Sequence, residues 1–137
     1  MRKTIRITRA AMLLLLVIML VSGIACVGGG GETYRGTEAI SAVHAHLYSL
    51  ANGIEAQEYV QDLISGYFWK AKYRPADLCG QSDEECWEVY NIVGGEYGAS
   101  VAHWHVYGSD MNEVIPSPRD PDAAIIEHEI LLLNVEE

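Results

Sequence analysis

His103 and His105 are the residues whose type and spacing point most directly to chemistry. Two positions apart on an extended strand, they face the same way. Two imidazoles there can ligate Zn²⁺ or Cu²⁺ if an acidic side chain supplies a third ligand. Spacing identifies no third ligand, so the plain expectation is two partly exposed histidines on the open side of a half-buried sheet. No metal and no cofactor is assigned. His44 and His46 lie on a helical stretch and diverge by about 200°, so they cannot share one ion. His44 borders an apolar stripe, His46 is expected to face water, and His128 has no obvious partner.

Tyr107 continues the alternation of His103 and His105, and Lys70 and Lys72 alternate in the same manner on an earlier segment. Lys70, Lys72, His103, His105 and Tyr107 are therefore the candidate ligand-binding set, provided that strand order makes them neighbours. Glu88, between Trp87 and Val89, reads as an ordinary solvated carboxylate. The chain contains no Gly-x-Ser-x-Gly, His-Glu-x-x-His, phosphate-loop or dinucleotide-glycine pattern. Asp110-Met111-Asn112-Glu113 is too short for a calcium loop and reads as a tight turn. The expected class is a non-enzymatic binding or interaction module, with no catalytic residue assigned and the ligand or protein partner unknown. The alternatives are a metal-handling or enzymatic protein using His103 and His105, and a structural envelope spacer.

The cysteines number three. Cys79 and Cys86 form a natural disulfide pair in an oxidising compartment. The short loop they close limits the expected gain to about 2 kcal/mol. Cys26 ends a distinct segment. Arg2, Lys3, Arg6 and Arg9 precede an apolar run from Ala10 to Val21, then Ser22, Gly23 and Ala25. That order is a secretory signal, and it places the rest of the chain outside the cytoplasm. Gly23-Ile24-Ala25-Cys26 resembles the lipobox of bacterial lipoproteins. The resemblance implies cleavage before Cys26, a lipid (palmitate and its like) on that cysteine, and partnership with the membrane. Two other readings remain open. Gly23-Ile24-Ala25 also fits a small-x-small cleavage site that releases a soluble protein, and Ala10 to Val27 is just long enough to span a bilayer uncut. The domain expectation is a signal peptide over 1–25, an anchor site and glycine-rich linker over 26–36, and one small domain over 37–137.

Charge narrows the partners. Four of the nine basic residues sit in the leader, so five face all 19 acids in the rest of the chain, a net of −14. Such a surface repels nucleic acid and anionic lipid heads.

The elements that must position these residues follow from periodicity. Thr37 is a candidate helix cap, and Ala39, Ile40, Val43, Leu47 and Leu50 make a helical stripe that Asn52-Gly53 ends with a left-handed stop. A second helix is expected over about 54–64. The period then changes to two. Tyr67, Trp69, Ala71 and Tyr73 share one face of a strand, and Phe68, Lys70 and Lys72 the other. Trp87, Val89 and Val93 mark a second strand, and Ala102, Trp104 and Val106 a third. Glu113 to Ile115 would add a short fourth strand, stopped by Pro116 and Pro118. Asp120-Pro121 caps a last helical turn or two, and Leu131 to Leu133 docks or continues as a strand. Helices first and hairpin-linked strands after give an α+β fold: one or two helices on an antiparallel sheet of three to four strands, with Trp69, Trp87 and Trp104 at the core. A helix laid on such a sheet resembles the cystatin-like and NTF2-like group. The phrases Trp87-Glu88-Val89, Trp104-His105-Val106, Val114-Ile115-Pro116 and Ala123-Ala124 look like small exported bacterial domains. That resemblance implies a fold and no functional residue.

Overall fold

A computed structural model describes residues 31–80 and 84–135, with side chains from Arg35 onward. The leader, Cys26 and most of the glycine tether lie outside the described residues. Contacts divide the chain between Tyr34 and Arg35, and the architecture below belongs to the unit that starts at Arg35.

The first helix, α1, spans Gly31–Leu50 and buries Ala39, Val43 and Leu47 completely. These positions are four apart, so they form one seam. Thr37 lies inside the helix and is not its cap. Packing explains the difference: Gly36 is buried, and a Cβ there would sit 3.4 Å from the Trp87 ring. Contact with the sheet carries the helix past the local cap signal. The second helix, α2, spans Ile54–Gly66 and buries Ala56, Val60 and Leu63. Gly53 has φ −94°, an extended cap position, so the left-handed stop expected there does not form. The turn is held from a distance instead. Asn134 Nδ2 donates to Leu50 O at 2.6 Å, and its Oδ1 accepts from Asn52 N at 2.8 Å and Gly53 N at 3.2 Å.

Four strands follow: β1 Phe68–Arg74, β2 Cys86–Val93, β3 Ala99–Tyr107 and β4 Glu113–Pro116. They pair antiparallel in the order β1-β2-β3-β4. A short helical turn, α3 Ala76–Cys79, lies between β1 and β2, and α4 Asp122–Val135 closes the described chain. The fold is α+β, with helices packed on one face of an open antiparallel sheet, as the change of period predicts.

The alternation holds along the strands. Ala71 pairs with Val89, Val89 with Trp104, and Val106 with both Trp87 and Val114, all on the helix side. Trp104 is the sealed centre of this core, while Trp69 and Trp87 are half-buried on its flanks. One irregularity interrupts the pairing of β2 with β3. The register shifts between Tyr90 and Ile92, and Asn91, wholly buried, accepts from Ala102 N at 2.8 Å through its side chain. The extra residue of this bulge lies in β3, where Val101 and Ala102 stand opposite Asn91 alone. β2 stays in register with β1 as far as Ile92, so Val93 keeps the parity of Trp87 and Val89, but at the strand end it is 51% exposed.

The closing segment also departs from expectation. Asp120 does cap, accepting from Asp122 N at 3.0 Å, but the helix continues for 14 residues instead of a turn or two. Ala123 and Ile130 are buried, with Ile126 and Leu133 packed beside them. Those four positions are spaced three and four apart, a helical stripe hidden in a run that is apolar on every side. Glu127 on this helix accepts from Trp104 Nε1 at 3.0 Å and meets His46 Nε2 at 2.9 Å through the same oxygen. His46 is therefore tied to α4 and does not simply face water. His44 sets its ring edge-on to Trp69, with centroids 4.7 Å apart, and burial lowers its pKa.

Candidate functional site

The face of the sheet away from the helices carries the polar side chains. Lys70, Lys72 and Arg74 alternate along β1, so all three project to this side. Lys70 pairs with Tyr90, which pairs with His103. Lys72 pairs with Glu88, which pairs with His105. Strand order thus brings Lys70, Lys72, His103, His105 and Tyr107 onto one face.

The face is divided by what covers it. The Cys79–Cys86 disulfide forms, tying the end of α3 to the start of β2. Tyr107 Oη donates to Cys79 O at 2.9 Å and lies 3.5 Å from His105 Nδ1. His105 is 1% exposed and Tyr107 3%, so neither is open to a ligand in solution. Burial pushes the His105 imidazole below its usual pKa. The Cys79 carbonyl and the Glu88 charge oppose that shift, and Arg119 and His103 reinforce it. Burial likewise pushes the Tyr107 phenol up.

The other half stays open and is organised around Glu88. Its two oxygens are divided between partners: Oε1 takes His103 Nδ1 at 3.0 Å, and Oε2 takes Arg74 Nε at 3.1 Å. A carboxylate only accepts, so the His103 proton that faces it sits on Nδ1. On its far side His103 Nε2 is 3.9 Å from Asp120 Oδ2. Tyr90 stacks on the imidazole with centroids 5.4 Å apart and an angle of 19°. Burial raises the Glu88 pKa, but the bonds and charges of His103 and Arg74 outweigh that and hold it below the usual carboxylate range. Glu88 is the residue that sequence reasoning passed over. The available signal was its parity with Tyr90 on β2, which places it between the Lys and His rows once the strands pair.

Lys70 reaches the outer edge of the same surface. Its ammonium lies 5.4 Å from the Tyr97 ring centroid and 4.0 Å from a Glu96 carboxylate oxygen. Both belong to the β2–β3 hairpin loop, where Gly98 is obligatory because a Cβ would overlap the Val93 carbonyl. Tyr97 is 92% exposed.

This arrangement presents fixed charge and ring surface. Cys79 and Cys86 are joined to each other, so neither offers a free thiol beside this face. Among the described residues no three His, Cys, Asp or Glu side chains converge as a metal ion requires. No protein-family model, no curated protein and no solved structure matches the chain. Its site is therefore read from its own geometry.

Proposed function

We propose that this chain is a membrane-tethered, extracytoplasmic binding module, and that its ligand lies on the open half of the sheet face, across Lys70, Lys72, Tyr90 and His103. The observation that carries this reading is the grouping of cations. Beyond the leader the chain has five, against 19 acids, and three of the five alternate on β1 toward one face. A local positive stripe on an acidic domain selects a short anionic group, a carboxylate or phosphate. The acidic remainder of the surface turns away extended polyanions. Arg74 is held by Glu88, so Lys70 and Lys72 are the cations offered to the ligand, with the Tyr90 and Tyr97 rings as apolar neighbours. The tether rests on the signal-like leader and Cys26, and the disulfide agrees with an oxidising compartment.

NMR titration of the full-length chain in a nonionic detergent, with succinate and separately with inorganic phosphate, tests the ligand surface. Saturable shifts of His103 that disappear in Lys70→Gln/Lys72→Gln are expected. Shifts that persist in that variant, or none at all, defeat the reading. The intact mass of the native N-terminus tests the tether: a lipid on Cys26 is expected, and a free Cys26 at a cut end overturns it.

A further inference from the structure

A concavity lies on the helix side of the sheet, at the end where β1 finishes and β2 begins. It encloses about 480 Å³ between Arg35 of α1, Tyr73, Trp87, the acidic pair Glu84 and Glu85, and the β3–β4 turn at Ser109. It shares no side chain with the Lys70–His103 surface, and its chemistry is different. Trp87 is the half-buried tryptophan under the start of α1. The Gly36 backbone leaves room for its ring. Tyr73 meets that ring edge-on, with centroids 5.7 Å apart and planes at 70°. Glu85 lies against the Tyr73 hydroxyl and raises the phenol's pKa, with a smaller contribution from burial. The two remaining tryptophans commit their indole N–H groups within the fold, Trp69 to Ile64 O at 3.1 Å and Trp104 to Glu127 at 3.0 Å.

We propose that this groove is a binding site for a small zwitterion that carries an ammonium and a carboxylate. Aromatic rings attract a desolvated ammonium through the ring quadrupole, and Tyr73 and Trp87 both line the groove. Glu84 and Glu85 supply countercharge beside them, and the net −14 of the chain beyond its leader adds a field that concentrates cations in a cleft. Arg35, the one cation on the lining, would oppose a simple ammonium ion. It suits a ligand whose acidic end can take the guanidinium fork. The mixed lining, aromatic with both signs of charge, is therefore matched best by a ligand that is itself of both signs.

Glycine betaine serves as the probe, in calorimetric titrations of the full-length chain in a nonionic detergent. Choline carries the same cation without the acid, and 3,3-dimethylbutyrate is the carbon isostere of betaine without the positive charge. Betaine is expected to bind more tightly than either. Arg35→Met should weaken betaine about tenfold, the size of a charge-assisted hydrogen bond, and tighten choline, whose cation it no longer repels. Glu84→Gln/Glu85→Gln should weaken both. Arg35, Glu84 and Glu85 are all exposed, so these variants keep the fold, which near-ultraviolet circular dichroism verifies. Failure of betaine to bind, equal binding of dimethylbutyrate, or affinities indifferent to both variants overturns the proposal. Loss of the phosphate and succinate response in Lys70→Gln/Lys72→Gln leaves it untouched, because the two sites have no residue in common.

Discussion

On the helix side of the sheet, Val89, Ala102, Trp104 and Val106 are sealed under α1, α2 and α4. On the opposite side β1, β2 and β3 carry Lys70, Lys72, Arg74, Glu88 and His103, while α3, joined to β2 by the disulfide, lies beside the buried His105 and Tyr107. The first face gains stability from area removed from water, a term that does not depend on direction. The second is held by aimed bonds: Arg74 to Glu88, Glu88 to His103, Tyr107 to Cys79. Area resists small changes of shape. Aimed bonds do not, but they hold charged groups at the surface where a ligand can meet them. One sheet thus separates stability from recognition by the alternation of its side chains.

Substitutions at paired positions probe that separation. The largest effect is expected at Trp104, which is fully buried. Trp104→Ala should cost about 3–5 kcal/mol in denaturant unfolding, while His103→Ala, its neighbour on the other face, should cost less than about 1 kcal/mol. Equal losses would show that the open face carries the fold as well. The disulfide comes next. Cys79→Ala/Cys86→Ala should cost about 2 kcal/mol and should also make His105, now 1% exposed, reactive toward diethyl pyrocarbonate. Unchanged reactivity would mean that something other than the staple covers that half of the face. Glu88→Gln follows, at about 1 kcal/mol, because its partners His103 and Arg74 keep 23% and 28% of their side-chain surface in water. Its sharper signature is a disordered His103 ring, seen as loss of the stacking shift from Tyr90.

The two faces were not equally legible in the sequence. Periodicity alone assigned Ala39, Val43 and Leu47 to a helix seam, and Trp104 and Val106 to the buried side of a strand, because burial repeats with the backbone. It also put Lys70 and Lys72 on one face of a strand and His103, His105 and Tyr107 on one face of another, and strand pairing made these the same side of the sheet. It could not say which of them stay open. That depends on the end of α3, where Cys79 O accepts from Tyr107 Oη at 2.9 Å across a separation of 28 positions. The role of Glu88 was hidden for the same reason: its partners Arg74 and His103 are 14 and 15 positions away, and only strand pairing joins them. The bulge at Asn91 left no local mark, since its side chain replaces a ladder bond that a regular strand would make with backbone. Asn134, fixing a turn more than 80 positions earlier, lies equally far from any local signal.

The smallest predicted effect bears on both faces at once. Burial lowers the pKa of His44 on the helix side and of His105 under the disulfide loop, each from an ordinary value of 6.5. A histidine whose folded pKa is depressed binds its proton more readily in the unfolded chain. The stability it contributes is complete above pH 6.5 and falls as the pH drops toward the folded value. Glu88 has the same sign but a lower window: its contribution is complete above its ordinary 4.5 and is lost as the pH falls through its lowered folded value. Acid should therefore weaken the domain in two stages, the histidines first and the Glu88 network second. Each histidine can contribute no more than about 1.4 kcal/mol per pH unit. Unfolding free energies measured across this range for His44→Leu, His105→Gln and Glu88→Gln separate the shares. The two histidine variants should flatten the upper stage alone, and Glu88→Gln the lower stage alone. An upper stage that survives in both histidine variants would place the titration elsewhere and remove the link between burial and acid sensitivity on either face.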